Sequence, residues 1–156
     1  MNLNSSFNLT INFIESKKTL NFDRVAVAFN IDEQEDWMEL ANDFLVGYQM
    51  LLLKIYHYKT RQYKYLFCKN THILVSKNTI TVNTFSDAEF YTQNFVKKQN
   101  DQLLKKVNKK INSLLAMQKI GLDLEKLIQL KQLQEQQYQL KMIKELSLRK
   151  DNYEEI

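Results

Sequence analysis

At 156 residues the chain has room for one compact domain with an appendage, and a hydrophobic content of 44% with 12% aromatics is ordinary for a chain that buries a core. Two glycines and no proline exclude a glycine-rich phosphate loop and leave the turns to Asn, Asp, Ser and Lys. The net charge of +4 is concentrated: residues 93–120 hold 7 Lys/Arg against 1 Asp/Glu, while residues 1–92 hold 9 against 10 and residues 121–156 hold 6 against 7.

Residues 7–15, "FNLTINFIE", alternate apolar Phe7, Leu9, Ile11 and Phe13 with Asn8, Thr10 and Asn12. That period of two predicts a strand with one buried face. "TLNF" and "RVAVAFNI" read as two further short strands, with Phe22-Asp23-Arg24 as a break between them. Asp32 with Glu35 has the form of a capping box. Trp37, Leu40, Ala41 and Phe44 follow at helical spacing, and Gly47 suits a helix end, so a helix is predicted there.

Strands resume at "YQMLLLKIYHYK" and "QYKYLFC", joined near Lys59-Thr60-Arg61. "THILVSKNTITVNTF" follows, and the repeated Lys-Asn-Thr at 69–71 and 77–79 predicts two equivalent turns of a meander. Ser86 with Glu89 is a second capping box, after which no strand signal remains. Leu103, Leu104, Val107, Ile111, Leu114 and Leu115 form an apolar stripe, with Lys105, Lys106, Lys109 and Lys110 on the other sides. A helical hairpin turning near Gly121 is predicted, with a single kinked rod as the alternative.

The reading divides the chain into a β-barrel over residues 1–85 and a helical extension over residues 86–156. Its fold class is mainly β plus α: a small five-stranded OB-type barrel with an extra strand and a long C-terminal helical extension. A longin-like order would instead require residues 16–31 to form one strand.

Catalytic and metal chemistry find no footing. His57 and His72 lie fifteen apart with one cysteine between them, which is no zinc spacing. The lone Cys68 permits no intrachain disulfide and points to a reducing compartment, where it fills core space. No basic and apolar leader opens the chain, and no apolar run is long enough to span a bilayer. No enzyme, cofactor, metal, membrane partner or small-molecule substrate is therefore expected.

Two surfaces remain as candidates. "KIYHYKTRQYKYLF" gathers Lys54, Tyr56, Tyr58, Lys59, Arg61, Tyr63 and Lys64 around one hairpin. Tyrosine faces stack on bases while Lys and Arg meet phosphates; the bland alternative is a strand hairpin with a wet outer face. The stripe of Leu103, Leu104, Val107, Ile111, Leu114 and Leu115 must be covered, by its own chain or by another.

The order of elements, and above all "DEQEDWMELANDFLVGYQMLLLKIYHYKTRQYKYLFCKNTHILV", resembles the second half of OB-folds of the replication-protein-A and telomere-capping group. Within it the chain is similar to the small subunit of the CST complex, the class that includes a ciliate 19-kDa telomerase-associated protein. The resemblance implies a noncatalytic, nuclear subunit of a telomere or single-stranded-DNA maintenance complex. It implies heterodimerisation with a larger OB-fold subunit through barrel and terminal helix, contact with other telomere and telomerase subunits, and weak contact with single-stranded DNA.

Overall fold

The computed structural model describes residues 6–31, 36–95 and 101–151, which fall into two compact units, the described residues up to 93 with 150–151 in one and those from 94 to 149 in the other. In the first unit, β1 (Phe7–Phe13), β2 (Lys18–Asn30), β4 (Phe44–His57), β5 (Gln62–Ser76) and β6 (Thr79–Thr84) close a ring. The pairs β1–β2, β2–β4, β4–β5 and β5–β6 are antiparallel, and β6–β1 is parallel. An odd number of strands that otherwise alternate in direction must close through one parallel pair. Round the ring the strands follow chain order, a meander without a Greek-key crossing among the described pairings.

The expected small five-stranded barrel with a helical extension is therefore present. Three strands lie outside the ring where one was expected: β3 (Met38–Glu39), β7 (Phe90–Gln93) and β8 (Leu148–Lys150). The segment read as the extra strand, residues 76–85, supplies β6 and closes the ring. Lys18–Asn30 form one unbroken strand, close to the single strand over residues 16–31 that the longin order required, but within a closed ring.

Phe7, Leu9, Ile11 and Phe13 of β1 point into the ring, as their alternation dictates. They meet Val25, Val27 and Phe29 of β2, Leu51, Leu53 and Ile55 of β4, Leu66, Cys68, Ile73 and Val75 of β5, and Ile80 and Val82 of β6. Each long strand changes its inward parity once. In β2 the switch lies between Phe22 and Val25, where Arg24 has φ 53° and the register against β1 slips between Phe7 and Leu9. That is a β-bulge, so the break read at residues 22–24 is one extra residue inside a continuous strand. In β4 inward positions pass from Phe44, Val46 and Tyr48 to Leu51, Leu53 and Ile55. In β5 they pass from Leu66 and Cys68 to Ile73 and Val75, across Asn70 with φ 46°.

The turn expected at residues 69–71 is thus a kink within β5, and only residues 77–78 make a turn, both at positive φ. Beside the kink the Lys69 carbonyl accepts the Phe85 amide at 3.0 Å, and the fully buried Thr84 adds a side-chain partner. Its Oγ1 lies 3.3 Å from both the Lys69 amide and the Lys69 carbonyl, and it accepts a 2.9 Å bond from the Thr71 hydroxyl.

Two helix expectations fail. The Asp32 to Glu35 capping box lies outside the described residues, but Met38 and Glu39 pair with β2, and residues from Phe44 onward are strand. Thirteen paired residues along β5 outweigh a local helical pattern. Gly47 ends no helix: it faces His72 across the pair, where a Cβ would stand 3.2 Å from the imidazole. Nor does Ser86 cap a helix. Phe90 and Tyr91 are buried and pair with Leu66 and Tyr65, while Glu89 binds Lys150 at 2.8 Å.

The second unit holds α1 (Gln102–Gln118) and α2 (Leu124–Leu146), reversing at Gly121 with φ +111°. Asp123 caps α2 by accepting the Lys126 amide at 2.8 Å, and Ser147 ends it in the left-handed conformation. Val107, Ile111 and Leu114 pack with Leu130, flanked by Leu122, Leu133 and Leu140. Leu104 is buried as well, whereas Leu103 and Leu115 are exposed. Most of the stripe offered as a partner surface is therefore the hairpin's own core, because α2 carries enough leucine to cover it. Asp101 opens α1 without capping it; Lys144 at 3.3 Å and Lys105 at 3.8 Å hold its carboxyl below the usual range.

Two substitutions check this architecture. Ile111→Asp places an unpaired carboxylate between the helices and is expected to cost about 3–5 kcal/mol, read as lost helical circular dichroism. Thr84→Val removes the hydroxyl at the β5 kink, and urea denaturation should show a loss of about 1–3 kcal/mol.

Candidate nucleic-acid interface

The outer face of the β4–β5 hairpin is set by register. Tyr56 stands opposite Tyr63, and Lys54 opposite Tyr65. On the other side, Tyr56 and Lys54 neighbour Ala26 and Ala28 of β2, whose small side chains leave room for rings. Tyr56 packs against Tyr58 with centroids 5.0 Å apart, edge to face, and against Tyr63 at 4.8 Å. The Lys54 ammonium lies 4.8 Å from the Tyr63 ring centre and 5.1 Å from that of Trp37. Two such cation–π contacts fix the charge in place, at roughly 0.5–1 kcal/mol each at a partly exposed site. Trp37 meets Tyr65 edge to face at 6.2 Å.

Residues 58–61 turn the chain beyond the tyrosines. The Arg61 amide donates to the His57 carbonyl at 2.8 Å, and Arg61 adopts φ 56°. The Thr60 amide donates to His57 Nδ1 at 3.3 Å. In a neutral imidazole that bond places the ring proton on Nε2, so the free nitrogen is a donor. The turn is tied to β2 through the Tyr58 amide and the Arg24 carbonyl, 3.2 Å apart. Asn21, Asp23, Arg24, His57, Tyr58, Lys59 and Thr60 line an open groove of about 780 Å³ between them. Its cations are Arg24 and Lys59, with Asp23 as the single carboxylate.

Of the seven residues proposed from sequence, Lys54, Tyr56, Tyr58 and Tyr63 come together in one cluster. Lys59 and Arg61 are exposed on the adjoining turn. Lys64 turns to the opposite face, across from Ile55, and binds Asp151 at 2.7 Å. Sequence reasoning missed Trp37, assigned to a helix, and Arg24, assigned to a break. The parity change from Leu20 and Phe22 to Val25 and Val27 was the available sign that Arg24 sits on a bulge.

Burial pushes the Tyr65 phenol up to about 12, with Tyr63 adding to the effect. Burial likewise pushes the Cys68 thiol up to about 12, against the opposing hydrogen bonds of Thr84 and Thr71. Neither is poised for chemistry at neutral pH. Among the described residues no three potential metal ligands of the His, Cys, Asp and Glu types come together.

The Tyr65 shift has a readable consequence. A phenol raised above its ordinary value of 10.0 contributes stability in full below about pH 10 and loses it as pH rises toward about 12. Tyr65→Phe should therefore flatten the alkaline limb of the stability profile between those values, measured by urea denaturation.

A family model described as the UU051 N-terminal domain matches residues 8–89, and one described as the Uncharacterised protein UU051 C-terminal domain matches residues 101–151. The chain is 31% identical over 142 residues to "Uncharacterized protein UU051" of Ureaplasma parvum serovar 3 (strain ATCC 700970), covering 87% of this chain and 83% of that protein. That relative is bacterial, and a bacterium has no nucleus. The telomere-complex role, the CST association and the nuclear location expected from the resemblance are thereby overturned.

Proposed function

The chain belongs to the UU051 family, and we propose that its barrel is a noncatalytic module binding single-stranded nucleic acid across the β4–β5 hairpin. The observation that carries this reading is the ordered cluster of Tyr56, Tyr58 and Tyr63 around a Lys54 ammonium held in place by rings. An unpaired base has two π-faces to offer, and stacking on an aromatic side chain contributes about 1–3 kcal/mol per base. Tyr58 and Tyr63 lie at the accessible rim of the cluster, next to the turn that carries Lys59 and Arg61.

Phosphates flanking a stacked base need donors within one nucleotide's reach. Arg24, Lys59, the His57 Nε2–H and the Thr60 hydroxyl supply them along the groove. Contacts of this type read the backbone and are indifferent to sequence. Duplex offers its bases only at their edges, so a stacking surface favours a single strand over a duplex.

Fluorescence anisotropy with labelled oligo-dT and oligo-U tests the reading. Binding should weaken with added salt, Tyr58→Ala and Tyr63→Ala should each weaken it by about 5- to 150-fold, and replacing Lys59 and Arg61 by Gln should lower the salt slope by roughly one per lost phosphate contact. No salt-dependent binding to either oligonucleotide would sink the proposal.

A further inference from the structure

From Gln102 to Gln118, α1 carries four lysines and no carboxylate. At about 100° per residue, Lys105 and Lys109 make one column on the helix and Lys106 and Lys110 a second. Both columns stand on the side turned away from Val107, Ile111 and Leu114, which pack against Leu130 of α2. All four lysines are exposed. Asp101 reaches Lys105 at 3.8 Å, but among the described residues Lys106, Lys109 and Lys110 have neither a hydrogen bond nor an ion pair.

This arrangement works against the helix that bears it. The pairs 105/109, 106/109 and 106/110 set like charges at neighbouring positions, which lowers helix stability. They stand in the N-terminal half of α1, toward the positive end of its dipole, and no acid in the first turn offsets them. A polyanion lying along this face answers all three pairs at once.

The face also discriminates between polyanions. No aromatic residue occurs in α1, so nothing here can stack on an unpaired base. Ser113 and Ala116, exposed and small, continue the strip between the two columns, so the face offers a bilayer little apolar surface to bury. What it does offer is charge at intervals, successive lysines of a column standing about 6 Å apart along the axis. Duplex DNA presents one phosphate charge per ~1.7 Å of its length, in two rows bordering a major groove about 12 Å wide. An α-helix with its side chains has about that width.

We propose that the outer face of α1 lies along a groove of duplex DNA, the 105/109 column meeting one row of phosphates and the 106/110 column the other. Ser113 and Ala116 leave room for the approach. Contacts of this kind are made to the backbone and carry no base sequence. The deep, narrow major groove of duplex RNA closes the same approach. The surface belongs to the second unit alone and does not depend on the single-strand reading of the barrel.

Fluorescence anisotropy of the full chain with a labelled mixed-sequence DNA duplex tests this, beside an RNA duplex of the same sequence and co-sedimentation with phosphatidylglycerol vesicles. DNA binding should weaken roughly 40- to 150-fold between about 50 and 200 mM salt, as about three or four phosphate contacts require. Lys106→Gln, Lys109→Gln and Lys110→Gln together should lower the salt slope by roughly one per lysine. Helical circular dichroism should be kept and the thermal midpoint should not fall, because the like-charge pairs are relieved. Arginine at the same three positions should preserve binding, and Tyr58→Ala should leave it unchanged. A wild-type chain that shows no salt-dependent binding to the DNA duplex overturns the proposal, as does a triple Gln variant that binds undiminished. Equal or tighter binding to the RNA duplex, or lysine-dependent binding to the vesicles in place of the duplex, assigns the face to another anion and overturns it as well.

Discussion

A strand of fourteen residues paired with one of fifteen is about 46 Å long, more than one small core can face from a single side. The β4–β5 hairpin must therefore change its inward parity, and the rest of the barrel is arranged around that change. One half of the hairpin packs beside β2, the other half beside β6, and the kink at Asn70 separates them. The bulge at Arg24 does the same for β2. Next to the kink the buried hydroxyls of Thr84 and Thr71 satisfy each other and the Lys69 backbone, which also takes the Phe85 amide, so two polar side chains sit in the core without an unmet bond.

The same bending makes the candidate site. Beyond the kink, the outer face of the hairpin carries rings on alternate positions of two paired strands, and the small residues of β2 make space for them. Lys54 belongs to this layer through its position opposite Tyr65 and its place between Tyr63 and Trp37. The bulge then aims Arg24 toward the turn that bears His57 and Lys59. A feature required by packing thus also gathers cations beside an aromatic cluster, a common accompaniment of bulges.

Much of this was legible before any coordinates. Period two in β1, the apolar runs of β4 to β6, the reversal at Gly121 and the six hairpin residues that remain on the surface all follow from side-chain spacing. The failures have one physical origin. The segments after Asp32 and after Ser86 carry good local helix signals, but Met38–Glu39, Phe44 onward and Phe90–Tyr91 pair with partners far along the chain, which a single sequence does not display. Asn70 and Arg24 were read as ends of strands because positive φ is usual in turns; inside a ladder the same conformation marks a bulge at Arg24 and a kink without change of register at Asn70. The stripe on α1 was visible, but its cover was not, since the weakly patterned leucines of α2 reveal their role only once the two helices lie side by side. The functional resemblance rested on an element order with a capped helix before β4, where the described residues hold the strand β3 and a meander ring instead, and a barrel alone carries no function.

Residues after the helical hairpin come back to the barrel rim. The Asp151 amide bonds to the Phe90 carbonyl at 2.8 Å, and its carboxylate neutralises Lys64 eighty-seven positions earlier. On a ribosome, a nascent barrel would wait with that rim unfinished until the whole hairpin had been translated. A contact across so many residues closes only after the hairpin exists, so the barrel rim is completed by an element that contributes nothing to its ring.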